Sequence, residues 1–162
     1  MAGGEAGLRL ARIVALMTPL ALLGGAYVGQ YAFGLFPCEM CWWQRYAHFA
    51  AFALAALAFA LPAGKRALVW MAALAIAVSG LIGGFHAGVE YHWWEGFTAC
   101  STSVTAKGGD PLDAIMNAPL VRCDTAPWDL AGISLAGWNF LISGAAALAI
   151  MLLLTRSAKG RV

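Results

Sequence analysis

Charge is what this chain has least of. Only 11% of its 162 residues are charged, against roughly 25% in an ordinary soluble domain. So few charges cannot cover a water-facing surface, and the class that remains is an integral membrane protein. The 10 Lys and Arg residues against 8 Asp and Glu leave a formal charge of +2, which says nothing about nucleic acid; what matters is where the charges lie. No haem motif is visible, and the second Cys-x-x-Cys that a four-thiolate zinc centre would need is absent.

What is present is apolar and long. Four stretches, about 13–33, 42–61, 67–86 and 135–154, reach or approach the roughly 20 residues that cross a bilayer. The second is the shortest and borrows Trp42 and Trp43 for length. The first runs past a typical signal-peptide core and lacks a small-x-small cleavage site, so it is expected to be retained. Residues 1–12 read as a mobile, basic-leaning tail. The expected fold is an all-α four-helix membrane bundle of one domain, 1–162, with outer loops at about 34–41 and 87–134.

The charges that exist orient it. Arg9 and Arg12, Lys65 and Arg66, and Arg156, Lys159 and Arg161 fall on one face of a four-span protein. The positive-inside rule makes that face cytoplasmic, which puts both termini inside. Cys38, Cys41, Cys100 and Cys123, all the cysteines of the chain, then lie on the opposite, oxidising side.

The segment Pro37-Cys38-Glu39-Met40-Cys41-Trp42-Trp43-Gln44-Arg45 organises the rest. Two thiols at this spacing close a small, strained disulfide, which suits a redox group better than a staple. Pro37 favours an extended approach, so Cys41 is expected in the first turn of the second span, where unpaired backbone N–H groups stabilise a thiolate. Arg45 follows one turn later on the same face. A guanidinium there needs a partner: a Cys41 thiolate, a quinone oxygen, a lipid headgroup or a carboxylate. His48, one turn deeper, reads as packing or hydrogen bonding, with a proton relay as the alternative. Trp42 and Trp43 read as interface-belt residues, or as flanks for a flat aromatic ligand.

Other polar or small residues stand near the outer boundary. Gly25 and Gly29 form a small-xxx-small pair, expected to pack against another helix, and Gln30 reads as an interfacial hydrogen-bonder. His86 and Glu90 are i,i+4 on the third span, at a depth comparable to Cys41, and form either a polar wall beside a redox cofactor or a plain interfacial pair. The large loop is rich in Gly, Ser, Thr, Asp and Pro. One short helix is expected at 110–118, with Asp110 as N-cap and Pro111 at its first position. Its apolar face would lie on the membrane surface or dock a partner. Lys107 and Arg122 read as solvated loop charges.

Three readings of the four cysteines compete: a structural disulfide framework, a zinc site, and a thiol–disulfide relay. A relay has to hand electrons to a lipid-soluble acceptor, for which a quinone is the natural candidate.

The spans, the Pro37-Cys38-x-x-Cys41-x-x-Gln44-Arg45 block and the second cysteine pair resemble the DsbB family of bacterial quinone reductases over essentially the whole chain. That resemblance implies a quinone-dependent oxidoreductase of the inner membrane that reoxidises a DsbA-like periplasmic thiol oxidase. Cys100 would be attacked by the partner's thiolate, and Cys123 would complete that loop disulfide and exchange with Cys38. Cys41 would face the quinone, ubiquinone or menaquinone, with Arg45 stabilising negative charge; His48, His86 and Glu90 are candidate members of the same cofactor wall. Two alternatives stay open: a paralogue dedicated to one substrate system, and a non-catalytic assembly protein with structural disulfides.

Overall fold

The structure, a computed structural model, describes residues 2–61, 63–96 and 121–159. Four long helices make up most of the described residues: α1 (Ala2–Ala32), α2 (Glu39–Ala60), α3 (Lys65–Glu90) and α4 (Leu135–Lys159). They pack in cyclic order, each against its neighbours in sequence, and α4 closes back on α1. The short connections between α1, α2 and α3 enforce antiparallel neighbours.

Three of the helices are long and apolar enough to cross a membrane: Gly4–Ala32, Lys65–Glu90 and Leu135–Ala158. Helix α2 has comparable length, but Glu39, Gln44, Arg45 and His48 occupy its first turns. The side chains are sorted for lipid. Leu20, Val28, Leu74, Leu81, Leu141 and Leu148 are exposed, while alanines fill the interior. In lipid, helices gain little from hiding leucine and much from close contact, so small residues take the inside. Ala11, Ala15, Ala51, Ala55, Ala58, Ala72, Ala73 and Ala147 pack with Val69, Ile76, Ile150 and Leu154 in one half of the bundle.

Two expectations are corrected here. Residues 2–12 are not a tail: α1 starts at Ala2, and Leu8 and Ala11 are buried in the core. Gly7 makes this possible, because a Cβ there would collide with Ser157 Oγ on α4. Gly25 and Gly29 do not pack against a neighbouring helix either. A Cβ on Gly25 would meet nothing within 4 Å, and both glycines border a cavity.

A small hairpin precedes α4. β1 (Asp129–Leu130) pairs antiparallel with β2 (Ile133–Ser134). The turn between them, Ala131-Gly132, has positive φ at both residues, the geometry of a type I′ turn, which glycine tolerates at no steric cost. Asp129 Oδ2 accepts from Gly132 N–H at 3.2 Å. Tyr91 ties the hairpin to α3: its hydroxyl donates to Gly132 O at 3.2 Å and accepts from Ser134 N–H at 2.9 Å. The expected helix at 110–118, Lys107 and Cys100 lie outside the described residues.

Candidate active site

Cys38 is the N-cap of α2, in extended conformation, and its Sγ accepts from Cys41 N–H at 3.3 Å. Cys41 therefore sits in the first turn, as its position after Pro37 predicts. The two sulfurs are 3.1 Å apart, with the Cys38 thiol donating to Cys41. That bond, together with burial, pushes the Cys38 thiol up to about 12. Cys38 is thus the proton-bearing member of the pair and Cys41 the sulfur that carries charge first. Cys38 is buried, whereas Cys41 is only partly buried.

The loop cysteine Cys123 comes to this pair. It is buried in one cluster with Cys38, Met40 and Val89, and its main chain lies against His86. Beside it, Arg122 binds Asp124 through two bonds of 2.8 and 2.5 Å. This pairing holds the Asp124 carboxyl down to about 2. Arg122 is solvated, as its loop position suggests, and it is also paired.

His86 and Glu90 share a face of α3, as their spacing predicts. His86 Nε2 is 3.5 Å from Cys38 Sγ and 3.7 Å from Glu90 Oε1. Both residues are buried. Arg45, also buried, is ion-paired with no carboxylate among the described residues. Its Nη1 donates to Gln30 Oε1 at 2.6 Å and its Nη2 to Ala26 O at 3.2 Å, both on α1. The rings of Tyr27 and Trp42 lie 4.9 and 5.1 Å from its guanidinium carbon, which stabilises a cation away from water. Gln30 is a hydrogen-bonder, as expected, and the Trp42 ring packs against Arg45.

His48 hydrogen-bonds: its Nε2 is 2.9 Å from Asn139 Oδ1. Asn139 is the residue that sequence reasoning missed. It is buried and binds Gln44 Oε1 at 2.8 Å, Ser79 O at 3.1 Å and the Ser143 hydroxyl at 2.9 Å. The available signal was an amide inside an apolar span, where an unpaired polar group is expensive.

Cys41, Arg45, His48, His86 and Glu90 all border a cavity of about 790 Å³ that also reaches α1, α4 and the hairpin. Its walls are mostly apolar, with a few polar groups among them, the usual make-up of a small-molecule site. At Gly25, on the α1 side of the cavity, a Cβ would meet no atom within 4 Å, which leaves room there for a flat group. Cys38, Cys41 and His86 hold their donor atoms within 4.8 Å of one another, a spacing that a soft metal ion would also accept. In this structure those atoms are engaged with one another by hydrogen bonds.

A helical membrane bundle that ends in a hydrogen-bonded dithiol, with a loop cysteine packed on it, defines a membrane thiol–disulfide protein. The model of the disulfide bond formation protein DsbB family matches residues 8–153. Disulfide bond formation protein B of Verminephrobacter eiseniae is 32% identical over 94% of this chain and 88% of its own length. The protein of that name from a Polaromonas species is 31% identical over 94% of each. No solved structure matches the chain. The chain belongs to the DsbB family and is a disulfide-forming membrane oxidoreductase.

Proposed function

We propose that this protein reoxidises a DsbA-like dithiol oxidase and passes the electrons to a membrane quinone, ubiquinone or menaquinone. The observation that carries this reading is the cavity, a mostly apolar chamber lined by Cys41, Arg45, His86 and Glu90 together with Gln44, His48 and Asn139. A quinone, when bound, accepts two electrons and two protons and leaves as quinol. The apolar walls from α1 and α4 suit its ring and tail. Arg45 has five N–H donors, of which two are held by α1, so it can place positive charge where negative charge develops.

In the thiol chemistry, a partner thiolate attacks Cys100 of the Cys100–Cys123 disulfide and Cys123 departs as a thiolate; the partner's second thiol then displaces Cys100, and the partner leaves with its own disulfide. The Cys123 thiolate attacks Cys38 of the Cys38–Cys41 disulfide, and Cys41 departs as a thiolate. Cys100 closes back on Cys123 and releases Cys38, so the two electrons rest on the Cys38–Cys41 dithiol. The packing of Cys123 beside Cys38 supports that exchange. On this reading α2 is the fourth span, the termini are cytoplasmic, and the cysteines face the periplasm from the inner membrane.

The test follows quinone absorbance in detergent with a reduced DsbA-like protein. Consumption in step with partner thiols is expected, falling to background in Cys41→Ser. Arg45→Ala should raise the quinone KM more than the partner KM. Absence of consumption by the wild-type protein with either quinone class would overturn the quinone coupling, leaving disulfide exchange alone.

A further inference from the structure

We infer that Asn139 and Gln44 are positioning residues that fix the His86 tautomer and complete a one-way chain of donors ending on Cys41 Sγ. This deepens the redox reading of the Cys38–Cys41 pair and rests on it. The chain follows from which atoms can donate. Asn139 Nδ2 donates to Gln44 Oε1 at 2.8 Å. Gln44 Nε2 is 3.0 Å from His86 Nδ1. An amide nitrogen only donates, so Nδ1 must accept and the ring proton must sit on Nε2. Nε2–H then faces Cys38 Sγ at 3.5 Å, and the Cys38 thiol donates onward to Cys41 at 3.1 Å.

Two main-chain carbonyls lock the direction. Gln44 Nε2 also donates to Met40 O at 3.1 Å, and Asn139 Nδ2 also donates to Ser79 O at 3.1 Å. Flipping either amide would set two acceptors face to face, and a carbonyl fixed in a helix cannot turn to relieve it. On its other side Asn139 Oδ1 receives Ser143 Oγ at 2.9 Å and His48 Nε2 at 2.9 Å. Gly83 shows how tight the crossing is. A Cβ there would lie 2.9 Å from Asn139 Nδ2 and 3.2 Å from Gln44 Oε1. Aligned bonds polarise one another in a dry interior, so the chain stabilises a thiolate at Cys41 without a second buried cation, and the same Nε2–H receives the charge when Cys38 is the leaving sulfur.

The titratable groups around Cys41 are Cys38 and Arg45 on α2, His86 and Glu90 on α3, and Cys123. Tyr27 of α1 stands behind Arg45, and the α4 residues Leu135, Ala136 and Asn139 on this wall do not titrate.

Two readouts on the full-length reduced protein, without quinone or partner, test the inference. Nitrogen-15 NMR of labelled histidine should find the neutral His86 proton on Nε2. Gln44→Glu, nearly isosteric, presents an acceptor and should move that proton to Nδ1. The pH dependence of Cys41 alkylation, read by peptide mass spectrometry, should shift upward by about one unit in Asn139→Leu, a tenfold loss of thiolate below the midpoint. A wild-type proton on Nδ1 would overturn the inference. So would an Asn139→Leu protein that stays folded with an unmoved midpoint. If Asn139→Leu does not fold, the Gln44→Glu spectrum decides. Because neither readout uses quinone, failure here and failure of the quinone coupling remain distinct.

Discussion

The two halves of the bundle use the same four helices to opposite ends. In the half nearer the termini, Ala11, Ala15, Ala55, Ala58, Ala72 and Ala147 meet Val69, Ile150 and Leu154; contact there is close and non-directional. In the half nearer the cysteines, Gln44, His48, Ser79, His86, Asn139 and Ser143 are all buried, and hydrogen bonds, each with a donor and an acceptor end, join them from helix to helix. Apolar packing holds the bundle together. Directional bonding decides which nitrogen carries a proton and which sulfur carries a charge.

Breaking the directional half should cost most. Gln44→Leu strands Asn139 Nδ2, His86 Nδ1 and Met40 O from one partner, and unsatisfied buried groups cost about 1–3 kcal/mol each. A loss of roughly 2–5 kcal/mol in detergent unfolding is expected, together with slowed disulfide exchange. Loss of stability with unchanged exchange would reduce the network to a structural role.

The apolar half should respond differently. Ala72 is fully buried, and Ala72→Leu overpacks its contact for about 1–3 kcal/mol. The alkylation profile of Cys41 should not move, because no hydrogen bond is touched. A shifted profile would mean that the halves are mechanically coupled.

Within the cysteine pair the contrast is finer. With the Cys38 thiol pushed up to about 12, iodoacetamide at pH 8 should label Cys41 well ahead of Cys38, read by peptide mass spectrometry. The sign for stability follows. A thiol raised above its ordinary 9.0 contributes fully below about pH 9, and that contribution fades as pH climbs toward 12. The reduced protein should therefore melt earlier above pH 9, and Cys38→Ala should abolish that dependence.

The smallest effect belongs to the surface. Asp124, held down to about 2 by Arg122, is fully solvated, so Asp124→Asn should leave melting at pH 7 unchanged. Its depressed value means the pairing is complete above the ordinary carboxylate range near 3.8 and is lost as pH falls toward 2. A clear destabilisation at pH 7 would show that this ion pair helps hold Cys123 against Cys38.

Much of this was legible beforehand because it depends on local spacing. Pro37 before Cys38 sets the helix start, the two cysteines are at i,i+3, and His86 and Glu90 are at i,i+4; a helix turns these spacings into neighbours wherever it sits. The bond from Arg45 to Gln30 and Ala26 was not legible. Arg45 has many chemically sensible partners, and the choice depends on which face of α1 turns toward α2. The same holds for Gly25 and Gly29: a small-xxx-small pair reads as a helix contact, and only assembly shows it bordering a cavity. The N-terminal residues read as a basic-leaning tail because nothing local shows that Leu8 and Ala11 are buried in the core and that Gly7 lies close against Ser157 of α4.

The sequence by itself determined the membrane class, the placing of the dithiol at a helix start and the face shared by His86 and Glu90, since hydropathy and helical periodicity act over one or two turns. Only the tertiary structure decided that Asn139 meets Gln44 across 95 positions of chain, that Cys123 packs on Cys38, and that Cys41 borders a cavity. Those contacts join separate helices, and a helix's own sequence does not fix the rotation it adopts against its neighbours.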